Sequence, residues 1–302
     1  MSRWTTADMP DQEGRTVLIT GANSGLGLRS AEALAAHGAR VLLACRNPDK
    51  AAVALEAVKA VATGAPPEVI ALDLADLDSV RAAADDVTER VDALDVLMNN
   101  AGIMAVPRGA TKQGFELQLG TNHLGHFALT GLLLPTLLRS SAPRVITTSS
   151  QAHRTGRMRW NDLQWTSGYE RWRAYGQSKL ANLLFMRELG RRAAEAGSPL
   201  VSASAHPGWA ATHLQSGEGF TKKLSELGNR VFAQSDAMGA LPQLYAATMP
   251  DVTSGDYFGP DGLFERAGHP KRVGMTAAAR NDADARRLWD TSERLTDIVY
   301  AF

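Results

Sequence analysis

Six short aliphatic and β-branched runs punctuate the chain up to residue 206: "TVLIT" (16–20), "RVLLAC" (40–45), "EVIALD" (68–73), "LDVLMN" (94–99), "RVITTS" (144–149) and "LVSASAH" (200–206). Most are apolar at both alternating positions, as parallel strands covered on both faces require. Between them lie helix-length stretches rich in Ala, Leu, Glu and Arg, at 26–37, 50–62, 77–90, 115–139 and 174–196. Parallel neighbours need a crossover, and a helix is the usual one, so this rhythm predicts a doubly wound α/β parallel sheet.

No repeat, low-complexity tract or interdomain linker interrupts the pattern, so residues 1–302 are expected to form one domain. Glycine- and proline-rich sequence after residue 250 predicts a last strand near "GDYFG" (255–259) and an otherwise irregular C-terminal lobe. Residues 210–234 are polar, contain glycine and directly follow a strand end, the place for a flap over a substrate.

Composition narrows the function classes. Lys plus Arg (32) balances Asp plus Glu (32), so no bulk charge points to nucleic acid or an anionic membrane surface. The N-terminus "MSRWTTADMPDQEGR" is polar, and "FALTGLLLPTLL" (127–138) is too short to span a bilayer, so no membrane anchor is expected. A single cysteine excludes an intrachain disulfide and fits a cytoplasmic location.

Two local patterns carry candidate chemistry. "VLITGANSGLG" (17–27) joins the first strand to the first helix through Gly21, Gly25 and Gly27. Glycines there permit a tight turn and let the backbone approach a pyrophosphate at the helix N-terminus, although the same residues also suit a plain turn. "YGQSK" (175–179) puts a phenol and an ammonium on one helical face, which an amphipathic surface pair would also do. Tyr169 and Arg173 share that spacing, but arginine stays charged and cannot relay a proton. His123 and His126 sit three apart with no third ligand at suitable spacing, so no metal is expected.

In this order on a β-α-β scaffold, "TGANSGLG" (20–27), "NNAG" (99–102) and "YGQSK" resemble the short-chain dehydrogenase/reductase family over about residues 14–213. "ACRN" (44–47) and "TNHLGHF" (121–127) resemble its retinol-dehydrogenase-like branch most closely. The resemblance implies a Rossmann-type fold that binds a nicotinamide dinucleotide. Gly21, Ser24, Gly25, Leu26 and Gly27 then lie along the pyrophosphate, Asp73 and Leu74 at the adenine, and Asn100, Ala101 and Gly102 against the adenosine ribose. In "HPGWAAT" (206–212), Pro207, Gly208 and Thr212 match the segment that holds the nicotinamide carboxamide. An acidic residue after the second strand would bind the ribose diol and repel a 2′-phosphate. This chain has Cys45 and Arg46 there, with Lys50 one turn on, and a guanidinium suits a bidentate phosphate contact. NADP(H) is therefore expected, with NAD(H) the alternative if Arg46 is only an exposed strand-end residue.

Hydride transfer to a carbonyl carbon needs a proton donor for the oxygen and a group that polarises it. Tyr175 is the expected acid/base, its pKa lowered by Lys179 one turn away; both would also contact the cofactor. The polarising hydroxyl comes from the end of the fifth strand, where Ser149 and Ser150 compete, and the resemblance selects Ser150. Asn122 matches the family's helix asparagine, which positions a water connecting the lysine to solvent. Trp160, Trp165, Trp172 and Trp209, with Met158, Leu214 and Phe220, either wall a lipophilic pocket or pack the long loop onto the body. The expected substrate is an apolar small-molecule carbonyl or alcohol. Association as a homodimer or homotetramer through the helices of Asn122 and Tyr175 is also implied. The rival reading is a cofactor-sensing regulator on the same fold, but such proteins commonly lose the tyrosine or lysine, and both are present here.

Overall fold

A computed structural model of the chain describes residues 3–208 and 235–302. β1 (Thr16–Thr20) pairs in parallel with β2 (Arg40–Cys45) on one side and β4 (Val96–Asn99) on the other. β2 continues to β3 (Glu68–Ala71); β4 continues through β5 (Arg144–Thr148) and β6 (Val201–Ala205) to β7 (Tyr257–Pro260). The sheet order is β3-β2-β1-β4-β5-β6-β7-β8, the last a short antiparallel edge strand at Pro270–Arg272 that the sequence pattern does not announce. Chain direction across the sheet reverses between β1 and β4, and ligands of such sheets bind beyond the strand carboxyl ends at that reversal.

Alternate strand residues feed two cores, as two-sided burial demands. Leu18, Leu42, Ile70 and Leu97 face α3 (Leu77–Arg90), α4 (Gly125–Leu137) and α5 (Arg171–Glu195). Val17, Ile19, Val41, Leu43, Val96 and Met98 face α1 (Gly25–Ala36), α2 (Pro48–Lys59) and α6 (Asp236–Thr248). Among the described residues, no helix is long and apolar enough to cross a membrane.

The 115–139 stretch is not one uniform helix. A short turn at Leu117–Leu119 runs into a wider π turn at Gly120–Leu124, closed by a bond from the Gly125 N–H to the Gly120 carbonyl, before α4 begins. π turns of this kind recur at functional sites. Both flanking glycines are required by close approach. A Cβ on Gly120 would meet Thr111 Cγ2 at 2.3 Å, and one on Gly125 would meet the Leu74 carbonyl oxygen at 2.4 Å.

The segment after residue 250 is more regular than expected. It holds β7, β8 and a fifteen-residue helix, α7 (Asp282–Thr296), capped by Asn281, whose side chain accepts from the Ala283 and Asp284 N–H groups. The signals were local, an Asn cap with Asp282 and Asp284 in the first turn and Arg294 in the last, and glycine-rich flanks obscured them. Trp289 and Tyr300 pack with Phe127 at ring separations of 5.1 and 4.9 Å, and the Tyr300 hydroxyl donates to the Phe127 carbonyl at 2.6 Å. The C-terminus thereby braces α4 against α5.

Overpacking a close helix contact costs about 1–3 kcal/mol. We therefore expect Gly125→Ala to lower the thermal midpoint by several degrees; an unchanged melt would show that α4 does not rest on Leu74.

Candidate active site

The carboxyl ends of β1 and β4 open a cleft of about 410 Å³. Its floor is the glycine turn, with Gly21 (φ 68°) and Gly25 (φ 53°) in the left-handed region where a side chain would be strained. Gly27 answers to space instead: a Cβ there would meet the Gly21 carbonyl oxygen at 2.3 Å and Asn100 Nδ2 at 2.7 Å. Ser24 begins α1 in extended conformation, yet its side chain makes no capping bond. Among the described residues, the first N–H groups of α1 thus lack a side-chain cap at a cleft that Ser24, Gly25 and Leu26 line, which suits an anion.

The opposite wall is held by Thr20. Its hydroxyl oxygen accepts from the Asn100 and Ala101 N–H groups at 3.0 and 2.9 Å, while Asn100 Nδ2 donates to the Thr20 carbonyl at 2.8 Å. Asn100, Ala101 and Gly102 line the cleft with Leu74 and Asp73. At the mouth, Arg46 is 71 % exposed and lies 3.9 Å from Asp73, with Lys50 lining the same end. The Asp73 carboxylate accepts from the Ala75 N–H at 2.9 Å, which holds its side chain against the turn after β3.

Tyr175, Lys179, Ser150 and Asn122 converge beyond the inner end of this cleft. Tyr175 and Lys179 are both buried, with the ammonium 5.8 Å from the phenol ring centre. Burial outweighs the lowering of the tyrosine that the lysine's spacing led us to expect. Burial pushes the Tyr175 phenol up to about 12, opposed by the Ser150 hydroxyl, and pushes Lys179 down to about 8. The ammonium instead donates to the Thr148 carbonyl at 3.1 Å. The two serines have separate partners. Ser149 is buried and donates to the Lys179 carbonyl at 2.8 Å, whereas Ser150 starts a 3₁₀ turn at Gln151–Arg154 and bears on Tyr175.

Asn122 lies in the π turn, and its whole amide is engaged. Nδ2 donates to the Ile103 carbonyl and to Ser178 Oγ, both at 2.9 Å, while Oδ1 accepts from the Ile103 N–H at 2.8 Å. A Cβ on Gly102 would lie 3.2 Å from Asn122 Oδ1 and 3.3 Å from Lys179 Nζ, a tight fit that the glycine avoids.

The paired histidines are polar packing. His126 Nδ1 donates to the Asn122 carbonyl at 3.0 Å, which leaves Nε2 to accept from the Thr20 hydroxyl at 2.9 Å. Burial holds His126 near 4 and His123 near 3, so both are neutral. No metal-binding group of three His, Cys, Asp or Glu occurs among the described residues.

Two of the tryptophans pack the long loop onto the body. Trp160 packs with Met158 against the α5–α7 core and donates to Asp284 at 2.9 Å. Trp165 is buried under Arg159, whose guanidinium lies 4.0 Å above its ring. Among the described tryptophans, Trp172 alone stands half-exposed near the site, edge-on to Tyr175 at 6.2 Å. Trp209, Thr212, Leu214, Phe220 and the flap expected at 210–234 lie outside the described residues. Gly208 turns the chain in the left-handed region (φ 70°).

Sequence reasoning missed Thr20, Thr148 and His126 as supports of the site. "TNHLGHF" contained His126, but only the tertiary contact with β1 shows what its second nitrogen does.

An anion-ready cleft at the sheet reversal, adjoining a buried Tyr–Lys pair with a serine hydroxyl, has the layout of a nicotinamide-dependent oxidoreductase. Comparison with known proteins gives the family. A family model for short chain dehydrogenases matches residues 15–223, and the chain belongs to that family. Retinol dehydrogenase 13 of Homo sapiens is 39 % identical over 293 residues, covering 94 % of this chain and 85 % of that protein. Retinol dehydrogenase 14 of Mus musculus is 40 % identical over 302 residues, covering 95 % and 87 %. A crystal structure of an uncharacterized protein from Mycobacterium Paratuberculosis superposes with a TM-score of 0.82 at 44 % identity, covering all of both chains. The protein is therefore an NAD(P)-dependent dehydrogenase/reductase of the retinol-dehydrogenase-like branch, acting on alcohol or carbonyl groups.

Depressing Lys179 from 10.5 to about 8 corresponds to about 3 kcal/mol of burial cost. Asn182 Nδ2 also donates to the Thr148 carbonyl, so removing the ammonium leaves that oxygen bonded. We expect Lys179→Met to raise the thermal midpoint at pH 7. Between pH 8 and 10.5 the unfolded wild type binds more protons than the folded, so wild-type stability rises there. The variant's advantage should be full below pH 8 and vanish towards pH 10.5. A Met variant less stable than wild type at pH 7 would contradict this account.

Proposed function

We propose that the protein is an NADP(H)-preferring oxidoreductase for an apolar carbonyl or alcohol, with Tyr175 as general acid/base. The observation that carries this reading is a buried phenol, held protonated at neutral pH beside the Ser150 hydroxyl, with the Lys179 ammonium behind it. The chain's residues fit the dinucleotide. The start of α1, which Ser24 leaves uncapped, suits the pyrophosphate, the Gly27 contact brings the helix onto the turn, and the buried Asn100 Oδ1 and Thr121 Oγ1 lack partners among the described residues where both residues line the cleft. Asn100, Ala101 and Gly102 would border the adenosine ribose, Asp73 and Leu74 the adenine, and Pro207 and Gly208 the nicotinamide. Arg46, exposed at the mouth, supports a 2′-phosphate contact.

The nicotinamide, when bound, supplies or accepts the hydride. Ser150 would hold the substrate oxygen, and Tyr175 would give it a proton in reduction. A phenol near 12 keeps its proton at neutral pH, which favours the donor role. Lys179, charged below about 8, would stabilise negative charge developing on the phenol oxygen. Asn122, in the π turn, would position a water that connects Lys179 to solvent. The names of the retinol dehydrogenase relatives and the half-exposed Trp172 support an apolar substrate.

Two variants test the reading with NADPH and a panel of apolar aldehydes and ketones. Tyr175→Phe should lower kcat by about 10²–10⁴-fold while sparing NADPH affinity; substantial residual turnover would remove the tyrosine from the mechanism. Arg46→Ala should raise KM for NADPH about tenfold or more, the loss of one charged phosphate contact, and leave NADH unaffected. An unchanged cofactor preference would refute the phosphate contact.

A further inference from the structure

Two consecutive non-glycine residues, Phe264 (φ 53°) and Glu265 (φ 56°), occupy the left-handed region that L residues avoid. Strain of this kind persists only where surroundings over-determine it, and it clusters at functional sites. The contacts that impose it here come from two segments of the active site. Gln151 Nε2 donates to the Phe264 carbonyl at 2.6 Å and to the Glu265 carbonyl at 3.1 Å. An Arg154 nitrogen lies 3.0 Å from both Glu265 carboxylate oxygens. Just beyond β6, His206 Nε2 donates to Glu265 Oε2 at 3.1 Å, its tautomer fixed by the Gly208 N–H that donates to Nδ1 at 3.1 Å.

The connectivity gives this turn its meaning. Gln151 directly follows Ser150, and His206 directly precedes Pro207 and Gly208. Packing leaves no slack: a Cβ on Gly208 would meet the Arg266 carbonyl oxygen at 2.4 Å, and one on Gly259 would meet His206 Nε2 at 2.1 Å. Hydrogen bonds from His206 and Arg154 hold the Glu265 carboxyl down to about 2, so it stays charged at any working pH.

We infer that Glu265 is a positioning residue: the turn it pins sets the separation between the Ser150 hydroxyl and the Pro207–Gly208 turn. That separation decides where a carbonyl carbon lies relative to the nicotinamide, and small misplacements of reacting groups are costly in rate. The inference rests on the roles given above to Ser150 and to Pro207–Gly208.

The test compares Glu265→Ala, Glu265→Gln and Arg154→Ala in the full chain. The readouts are steady-state kinetics, the emission change of NADPH on binding, and affinity for adenosine 2′,5′-diphosphate, which has no nicotinamide. Glu265→Ala should lower kcat about 10–100-fold and lose most of the NADPH emission change, with adenosine 2′,5′-diphosphate affinity unchanged. Glu265→Gln, which still accepts from His206, should recover part of both losses, and Arg154→Ala should act in the same direction more weakly. Unchanged kcat and emission would overturn the inference, as would an equal loss of adenosine 2′,5′-diphosphate affinity, which marks general loosening. If the wild type reduces no carbonyl and oxidises no alcohol, the catalytic reading fails by itself. The emission comparison then decides the positioning: a loss in Glu265→Ala upholds it, and no change refutes it.

Discussion

A buried carboxamide, that of Asn122, spans the gap between the cleft and the tyrosine helix. One face of the amide reads both the N–H and the carbonyl of Ile103, just beyond β4, and the other reaches Ser178 on α5. All its hydrogen-bonding capacity except one acceptor lone pair is spent on holding two elements at a fixed distance. The π turn makes this reach possible by widening the helix at that residue. His126 extends the bracing, since one nitrogen holds the Asn122 carbonyl and the other the Thr20 hydroxyl that supports Asn100 and Ala101. The strand end that borders the cleft and the helix that carries Tyr175 are thus parts of one hydrogen-bonded unit.

The same burial that makes these bonds strong sets the protonation states. Low dielectric disfavours charge, so the phenol rises, the ammonium falls and the histidines stay neutral. The expected lowering of Tyr175 by Lys179 weighed the charge one turn away and left out the burial of both groups. In the folded chain desolvation is larger than the mutual field, and the lysine finds its hydrogen bond on the Thr148 carbonyl rather than on the phenol. Keeping an ammonium there works against stability, a common condition of functional sites.

How far the sequence could be read depended on the range of the forces involved. All six expected strands occur, their ends within two residues, because double-faced apolar runs bounded by turns are a local signal. Glycine spacing placed Gly21 and Gly25 in a turn and helical periodicity put Tyr175 and Lys179 on one face, while their candidate roles came from the family resemblance. The π turn was not, because Gly120 and Gly125 owe their identity to Thr111 and Leu74, which are remote in sequence or belong to another element. Trp160 and Trp165 left two readings open in sequence, and only their contacts with Asp284 and Arg159 identify them as anchors of the long loop.

By itself, the sequence determined the alternating architecture, the glycine turn after the first strand and the residue types at the strand ends, since patterning and turn chemistry act over a few residues. Tertiary structure alone decided which serine bears on the phenol, how the tyrosine and lysine titrate, and what the histidines bond. It also decided that a carboxylate near the C-terminus, Glu265, would touch the segment after Ser150 and the one before Pro207. Desolvation and hydrogen-bond geometry depend on what packs around a group from every side, and those neighbours meet only when the sheet is complete.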